Sequence, residues 1–124
     1  MLEYSKDTSA MESEVDMTIF RLQAAISKTM ANPLRLAILY HLKGKEKTVN
    51  ELSELVGASQ SNVSQHLAMM RQRDMVKTRK KGTSIYYSVS NPKINQACDL
   101  VREVLLEQLQ EKQKLIKKYH NNQI

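Results

Sequence analysis

Four residues in this 124-residue chain combine type and spacing in a way that points to chemistry: Ser61, Ser64, Gln65 and Gln72. At helical spacing they share one side of the segment that follows Ser59, while Val63, Leu67 and Met70, at intervals of four and three, share the other. Hydroxyls and amides make directional hydrogen bonds without net charge, and no carboxylate interrupts them. Such a side suits the major groove of duplex DNA, where amides and hydroxyls meet base edges and an acid would repel phosphate. Directly after it, residues 71–81 (RQRDMVKTRKK) hold Arg71, Arg73, Lys77, Arg79, Lys80 and Lys81 against one acid, Asp74. Beside a base-reading side, this run reads as a phosphate-binding surface; by itself it would be a solvated strand face.

Other chemistries lack their residues. The chain has no glycine-rich phosphate loop, no nucleophile with a base and an orienting acid, and no metal-ligand constellation, so no enzyme and no cofactor are expected. His41 and His120 are isolated, and His66 is expected to pack or hydrogen-bond behind the amide-bearing helix. Met69, Met70 and Met75 read as flexible core filler, not as copper ligands. The single cysteine, Cys98, rules out an internal disulfide. It falls on an apolar stripe, and two readings stay open: a small buried hydrophobe, or a redox or persulfide switch, acting alone or with Cys98 of a second copy.

Positioning begins with Thr48 to Arg73, which reads as two short helices around Gly57. Thr48 caps the first, and Glu51 three residues on completes a capping box. Leu52, Leu55 and Val56 are expected to give it one apolar side. Gly57 suits the left-handed residue that ends a helix, and Ser59 caps the second. A helix-turn-helix follows, although two amphipathic helices around a glycine also occur in ordinary helical proteins.

Around this unit the chain reads as one domain over 12–120, preceded by a flexible N-terminus over 1–11. A first helix starts between Met11 and Val15, with Val15, Ile19, Leu22, Ile26 and Met30 as its stripe. Asn32-Pro33 starts a second, nearly all-apolar helix that should form the centre of the core and end at Gly44-Lys45. From Val76 the period changes to two, and Lys81-Gly82-Thr83 turns the chain into Ile85 to Val89, giving a hairpin with a basic tip. Asn91-Pro92 opens a last helix of about 25 residues, longer than a small domain needs. The long stripes at both ends of the chain predict a homodimer formed through the terminal helices. The formal charge of +6, with the acids Glu3, Asp7, Glu12, Glu14 and Asp16 gathered at the start, favours a polyanionic partner for the remainder. No signal peptide and no membrane-length apolar run are visible, so a cytoplasmic protein without membrane contact is expected.

The order helix, helix, helix-turn-helix, hairpin, helix is a winged helix-turn-helix, mostly α with a small β-hairpin. At residue level the chain resembles the ArsR/SmtB family of bacterial and archaeal repressors. The stretch MANPLRLAILYHL is similar to that family's A-x-P-x-R-L-x-I-L-x-x-L at Ala31, Pro33, Arg35, Leu36, Ile38, Leu39 and Leu42. Ser59 to Leu67, SQSNVSQHL, resembles its recognition helix S-Q-S-x-V-S-x-H-L, and Gly82 with Tyr86-Tyr87 looks like its wing. The resemblance implies a homodimer on double-stranded DNA, with Gln60, Ser61, Ser64 and Gln65 facing it and Arg79, Lys80 and Lys81 along the flanking backbone or minor groove. Gln60 enters through the resemblance alone. The family's metal ligands are missing: Thr48-Val49-Asn50 replaces a Cys-Val-Cys box, and Asn91, Lys93, Val104 and Glu107 stand at the zinc positions of the last helix.

The expected function is a sequence-specific regulator of transcription, acting as a repressor on an inverted repeat. A thiol-responsive regulator using Cys98, a non-specific architectural DNA-binding protein and a protein-interaction module are the alternatives.

Overall fold

A computed structural model of the chain describes the backbone of residues 9–122 and the side chains from Asp16 to Asn122. Residues 1–8, most of the segment expected to be flexible, lie outside the described residues, as does the side chain of Val15. Seven elements follow in order: α1 (Ser9–Met30), α2 (Pro33–His41), α3 (Val49–Val56), α4 (Gln60–Gln72), β1 (Val76–Lys81), β2 (Ser84–Val89) and α5 (Pro92–Asn122). Helix α1 starts at Ser9, ahead of the expected Met11, because Ala10, Met11 and Glu12 favour helix and nothing breaks it. Helix α5 runs 31 residues and not about 25, since Gln, Lys and Glu carry it past the last apolar cluster without a Gly or Pro.

The junction between α1 and α2 is built as the Asn-Pro pair predicts. Asn32 is extended, its Oδ1 accepts from the Leu34 and Arg35 amides at 2.9 and 3.1 Å, and Pro33 takes the first helical position. Ile38, Leu39 and Leu42 then form the buried centre, joined by Leu52, Val63, Leu67, Met70, Met75, Val76 and Cys98. Full burial of each large aliphatic side chain contributes about 1.5–3 kcal/mol, so α2, α3 and α4 are held as one unit. Asn95 is buried in α5 and donates from Nδ2 to the Leu39 carbonyl at 2.8 Å, fixing α5 against α2. The Sγ of Cys98 lies 3.7 Å from the Met30 Sδ, where α5 meets the end of α1.

Beyond that meeting point most apolar side chains of the two terminal helices are uncovered among the described residues. Met17, Ile19, Phe20, Leu22 and Ile26 of α1 are about half exposed or more, and so are Val101, Val104, Leu105, Leu109, Leu115, Ile116 and Tyr119 of α5. At 1.5 Å per residue α5 is about 46 Å long, and only its first third packs on the body. An apolar surface of this extent on a small domain marks an interface.

Strands β1 and β2 pair antiparallel from Val76↔Val89 to Lys81↔Ser84. Gly82, at φ +60°, is the first of the two turn residues, where a positive φ matches the twist of a tight hairpin. A further tie comes from the α2–α3 loop: Lys47 and Tyr87 exchange backbone hydrogen bonds at 3.0 and 2.8 Å. The hairpin is thereby stitched to the residue just before the α3 cap, a contact that neither period nor turn residues foretell.

Candidate nucleic-acid interface

The angle between α3 and α4 is set by local hydrogen bonds. Thr48 Oγ1 accepts from the Glu51 amide at 3.2 Å, and Glu51 Oε1 accepts from the Thr48 amide at 3.1 Å, closing the capping box. The Thr48 amide, then its hydroxyl, hold the Glu51 carboxyl below the usual carboxylate range. Gly57 ends α3 at φ +67°, its amide bonded to the Ser53 carbonyl at 3.0 Å. Ser53 Oγ donates onward to the Ala58 carbonyl, and Ser59 Oγ accepts from the Asn62 amide at 3.1 Å to start α4. Leu52 is fully buried and Val56 half-buried, but Leu55 is 48% exposed. Leu55 lies three residues from Leu52 on the flank of the seam, so α3 packs through a narrower strip than the three residues predict.

Helix α4 is braced from behind by Arg35. Its Nε donates to His66 Nδ1 at 3.0 Å, its Nη1 to the Thr29 carbonyl at 3.0 Å and its Nη2 to Met69 Sδ at 2.6 Å. His66 therefore orients the helix from its rear, as expected. Met70 and Met75 are buried; Met69 is 45% exposed and serves as an acceptor, a correction to its reading as core filler.

With Val63, Leu67 and Met70 turned inward, Ser61, Ser64, Gln65 and Gln72 are all exposed on the opposite side. Ala68 shares that side, one turn after Ser64, and is exposed. Polarity alone passes over it; a methyl there leaves room for close approach and can contact a thymine methyl. Gln60, the first residue of α4, is exposed too, and its Nε2 donates to Asn50 Oδ1 of α3 at 2.8 Å. Asn50 was not singled out by sequence reasoning, because its partner lies ten residues on.

The basic run divides into two kinds of cation. Arg71, Arg73, Lys77, Lys80 and Lys81 are exposed. Arg79 is exposed but engaged: Nε donates to Glu46 Oε2 at 3.1 Å and Nη2 to Glu46 Oε1 at 2.5 Å, with its guanidinium carbon 5.2 Å from the Tyr86 ring centroid. Asp74, the acid within the run, has φ +56° and closes α4: its amide bonds to the Arg71 carbonyl at 3.0 Å and the Met75 amide to the Met70 carbonyl at 2.9 Å. This is a Schellman ending with aspartate in the position that glycine usually takes.

Cys98 is 9% exposed, at the edge of the core beside Met30. Burial pushes its thiol pKa up, and the nearby Arg102 offsets this only in part. Among the described residues no cluster of three His, Cys, Asp or Glu side chains could hold a metal ion, and no helix is long and apolar enough to cross a membrane.

Comparison with known proteins agrees with this geometry. Residues 32–78 match the model of the family described as bacterial regulatory protein, arsR family. The HTH-type transcriptional regulator Rv0081 of Mycobacterium tuberculosis is 36% identical over 103 residues, which span 82% of this chain and 88% of the relative. Its crystal structure superposes with a TM-score of 0.68 at 34% identity, covering 76% of this chain and 95% of that one. The transcriptional repressor PagR of Bacillus anthracis is 34% identical over 98 residues, covering 78% of this chain and 98% of PagR. A solution structure of the homodimeric winged helix-turn-helix DNA-binding domain Mb0332 of Mycobacterium bovis, a possible ArsR-family regulator, matches with a TM-score of 0.68 at 25% identity, over 90% of this chain and 95% of that one.

Proposed function

This chain belongs to the arsR family of bacterial regulatory proteins, and we propose that it represses transcription in the cytoplasm by binding an inverted-repeat operator as a homodimer. One observation carries the reading: the exposed side of α4 holds Ser61, Ser64, Ala68, Gln65 and Gln72 and no carboxylate, while the opposite side is fully buried. In this reading Gln60, Ser61, Ser64 and Gln65 meet base edges and nearby phosphates. Arg71, Lys80 and Lys81 bind the flanking phosphates, and Arg79 contributes through the three guanidinium hydrogens that Glu46 leaves free.

The exposed stripes of α1 and α5 support the dimer, since a second copy is the simplest cover for both. Two recognition helices related by a two-fold axis then read half-sites about one helical turn apart or a multiple of it. Repression by occlusion needs nothing beyond this, because a dimer seated on a promoter excludes polymerase from the same groove. No catalytic step and no cofactor enter the reading. Two positions where the ArsR/SmtB resemblance would place metal-binding cysteines have other work here: Thr48 caps α3, and Asn50 bonds Gln60. Cys98 fits a packing role, since a buried thiol held protonated is a poor nucleophile.

Selection from random duplex oligonucleotides tests the function. The expected result is a near-palindromic consensus protected over two half-sites. Uniform retention of all sequences would make the protein an architectural DNA-binding protein, and no retention at low salt would leave a protein-interaction module.

A further inference from the structure

Gln60 opens α4, and the first residues of a reading helix are those that reach base edges. A surface glutamine ordinarily samples many rotamers and both amide orientations. Gln60 does not have that freedom, because its Nε2 donates to Asn50 Oδ1 at 2.8 Å. Both side chains are exposed, so burial does not force the contact. The bond engages one Nε2 hydrogen. What remains unengaged is Oε1 as an acceptor and the second Nε2 hydrogen as a donor.

That pair matches adenine, which offers an N6 amino donor and an N7 acceptor in the major groove. Guanine offers N7 and O6, both acceptors, and would need two donors from a side chain that has one left. Asn50 keeps both Nδ2 hydrogens, and it lies on the first helix of the unit, the one that crosses the phosphate backbone in such folds. We infer that Asn50 is a positioning residue for base choice: it holds Gln60 with its adenine-reading edge outward and couples that edge to the backbone contact of α3. The inference rests on the operator-binding reading given above.

The test is selection from random duplexes by the full chain and by Gln60→Ala, Asn50→Ala, Asn50→Asp and the Asn50→Ala/Gln60→Ala double variant, with thermal unfolding of each. The chain selects adenine at one position per half-site, and Gln60→Ala loses that preference. Asn50→Ala weakens the same preference about tenfold, leaves the other positions unchanged and unfolds at the same temperature. Asn50→Asp keeps the acceptor, so it keeps adenine while total affinity falls through repulsion of phosphate. The double variant discriminates no worse than Gln60→Ala alone. If Asn50→Ala keeps adenine where Gln60→Ala loses it, or relaxes every position alike, the coupling is overturned. If Gln60→Ala selects as the unchanged chain does, Gln60 is no reader: the inference falls and the regulator stands. If the unchanged chain selects nothing, the operator-binding reading itself has failed.

Discussion

Arg79 holds Glu46 in a two-pronged ion pair, with Nε 3.1 Å from Oε2 and Nη2 2.5 Å from Oε1, and the wing is thereby tied to the loop that precedes α3. The hydrogen bond pulls the Glu46 carboxyl below its usual range and raises Arg79 further above its own. Strand alternation presents Arg79 as one more free cation in a basic hairpin, but its charge is matched within the protomer. The cations free to release counterions from DNA are its neighbours.

The first prediction follows from that pairing. Lys81→Ala should weaken binding to all DNA alike, by several-fold, and reduce the slope of log affinity against log salt by about one per subunit. Arg79→Ala should flatten the slope less than Lys81→Ala does. Glu46→Gln, which frees Arg79 and removes a nearby acid, should strengthen binding and steepen the slope. Equilibrium titrations at four or five salt concentrations check this; equal slopes for the two cation variants would refute the distinction.

Asp74 gives a second. A left-handed backbone costs a residue with a β-carbon roughly 1–2 kcal/mol, offset for glycine by about 0.4–1 kcal/mol of added unfolded-state entropy. Asp74→Gly should therefore raise stability by roughly 0.5 kcal/mol, and Asp74→Val, β-branched and without the short polar group that lets aspartate visit this region, should lower it by about 1 kcal/mol. Urea unfolding gives both values, and a Val variant as stable as the Gly variant would contradict the φ of +56°.

Cys98 gives a third. Its burial and raised pKa predict alkylation by iodoacetamide far slower than that of free cysteine at neutral pH, becoming fast once urea unfolds the chain. Mild peroxide should leave DNA affinity unchanged. Rapid native alkylation, or loss of binding on oxidation, would restore the thiol-switch reading.

The fourth concerns acid. Glu51 is held low by the Thr48 amide, Asp99 by hydrogen bonds from Lys43 and then Arg102, and Glu46 by Arg79. A carboxyl whose folded pKa is depressed adds to stability above its unfolded pKa and gives that up as pH falls through the folded value. The urea midpoint should therefore decline below about pH 4, with a shallower decline in Glu51→Gln. A midpoint that rises on acidification would show the sign to be wrong.

Much of this was legible in the residues. Asn32-Pro33, Thr48 with Glu51, Gly57 and Ser59 each act through bonds to residues two to four positions away, so their meaning is local, and all four are built as their types predict. Val63, Leu67 and Met70 mark the buried side of α4 by spacing alone. What escaped was non-local or too finely angular. The pairs Glu46–Arg79, Asn50–Gln60 and Arg35–His66 join residues 33, 10 and 31 positions apart, and no period encodes them. Leu55 and Met69 were misplaced because a one-residue step on a helix turns a side chain from seam to flank.

The central claim is that the acid-free side of α4 enters the DNA groove, and its most direct measurement is the affinity of Gln65→Glu for the selected operator. The substitution is nearly isosteric, exposed and remote from the core, so dimerisation and unfolding temperature should match the unchanged chain. Affinity should fall at least a hundredfold, the scale of burying an unpaired charge among acceptors and phosphates. Binding of Gln65→Glu at the strength of the unchanged chain would contradict the account.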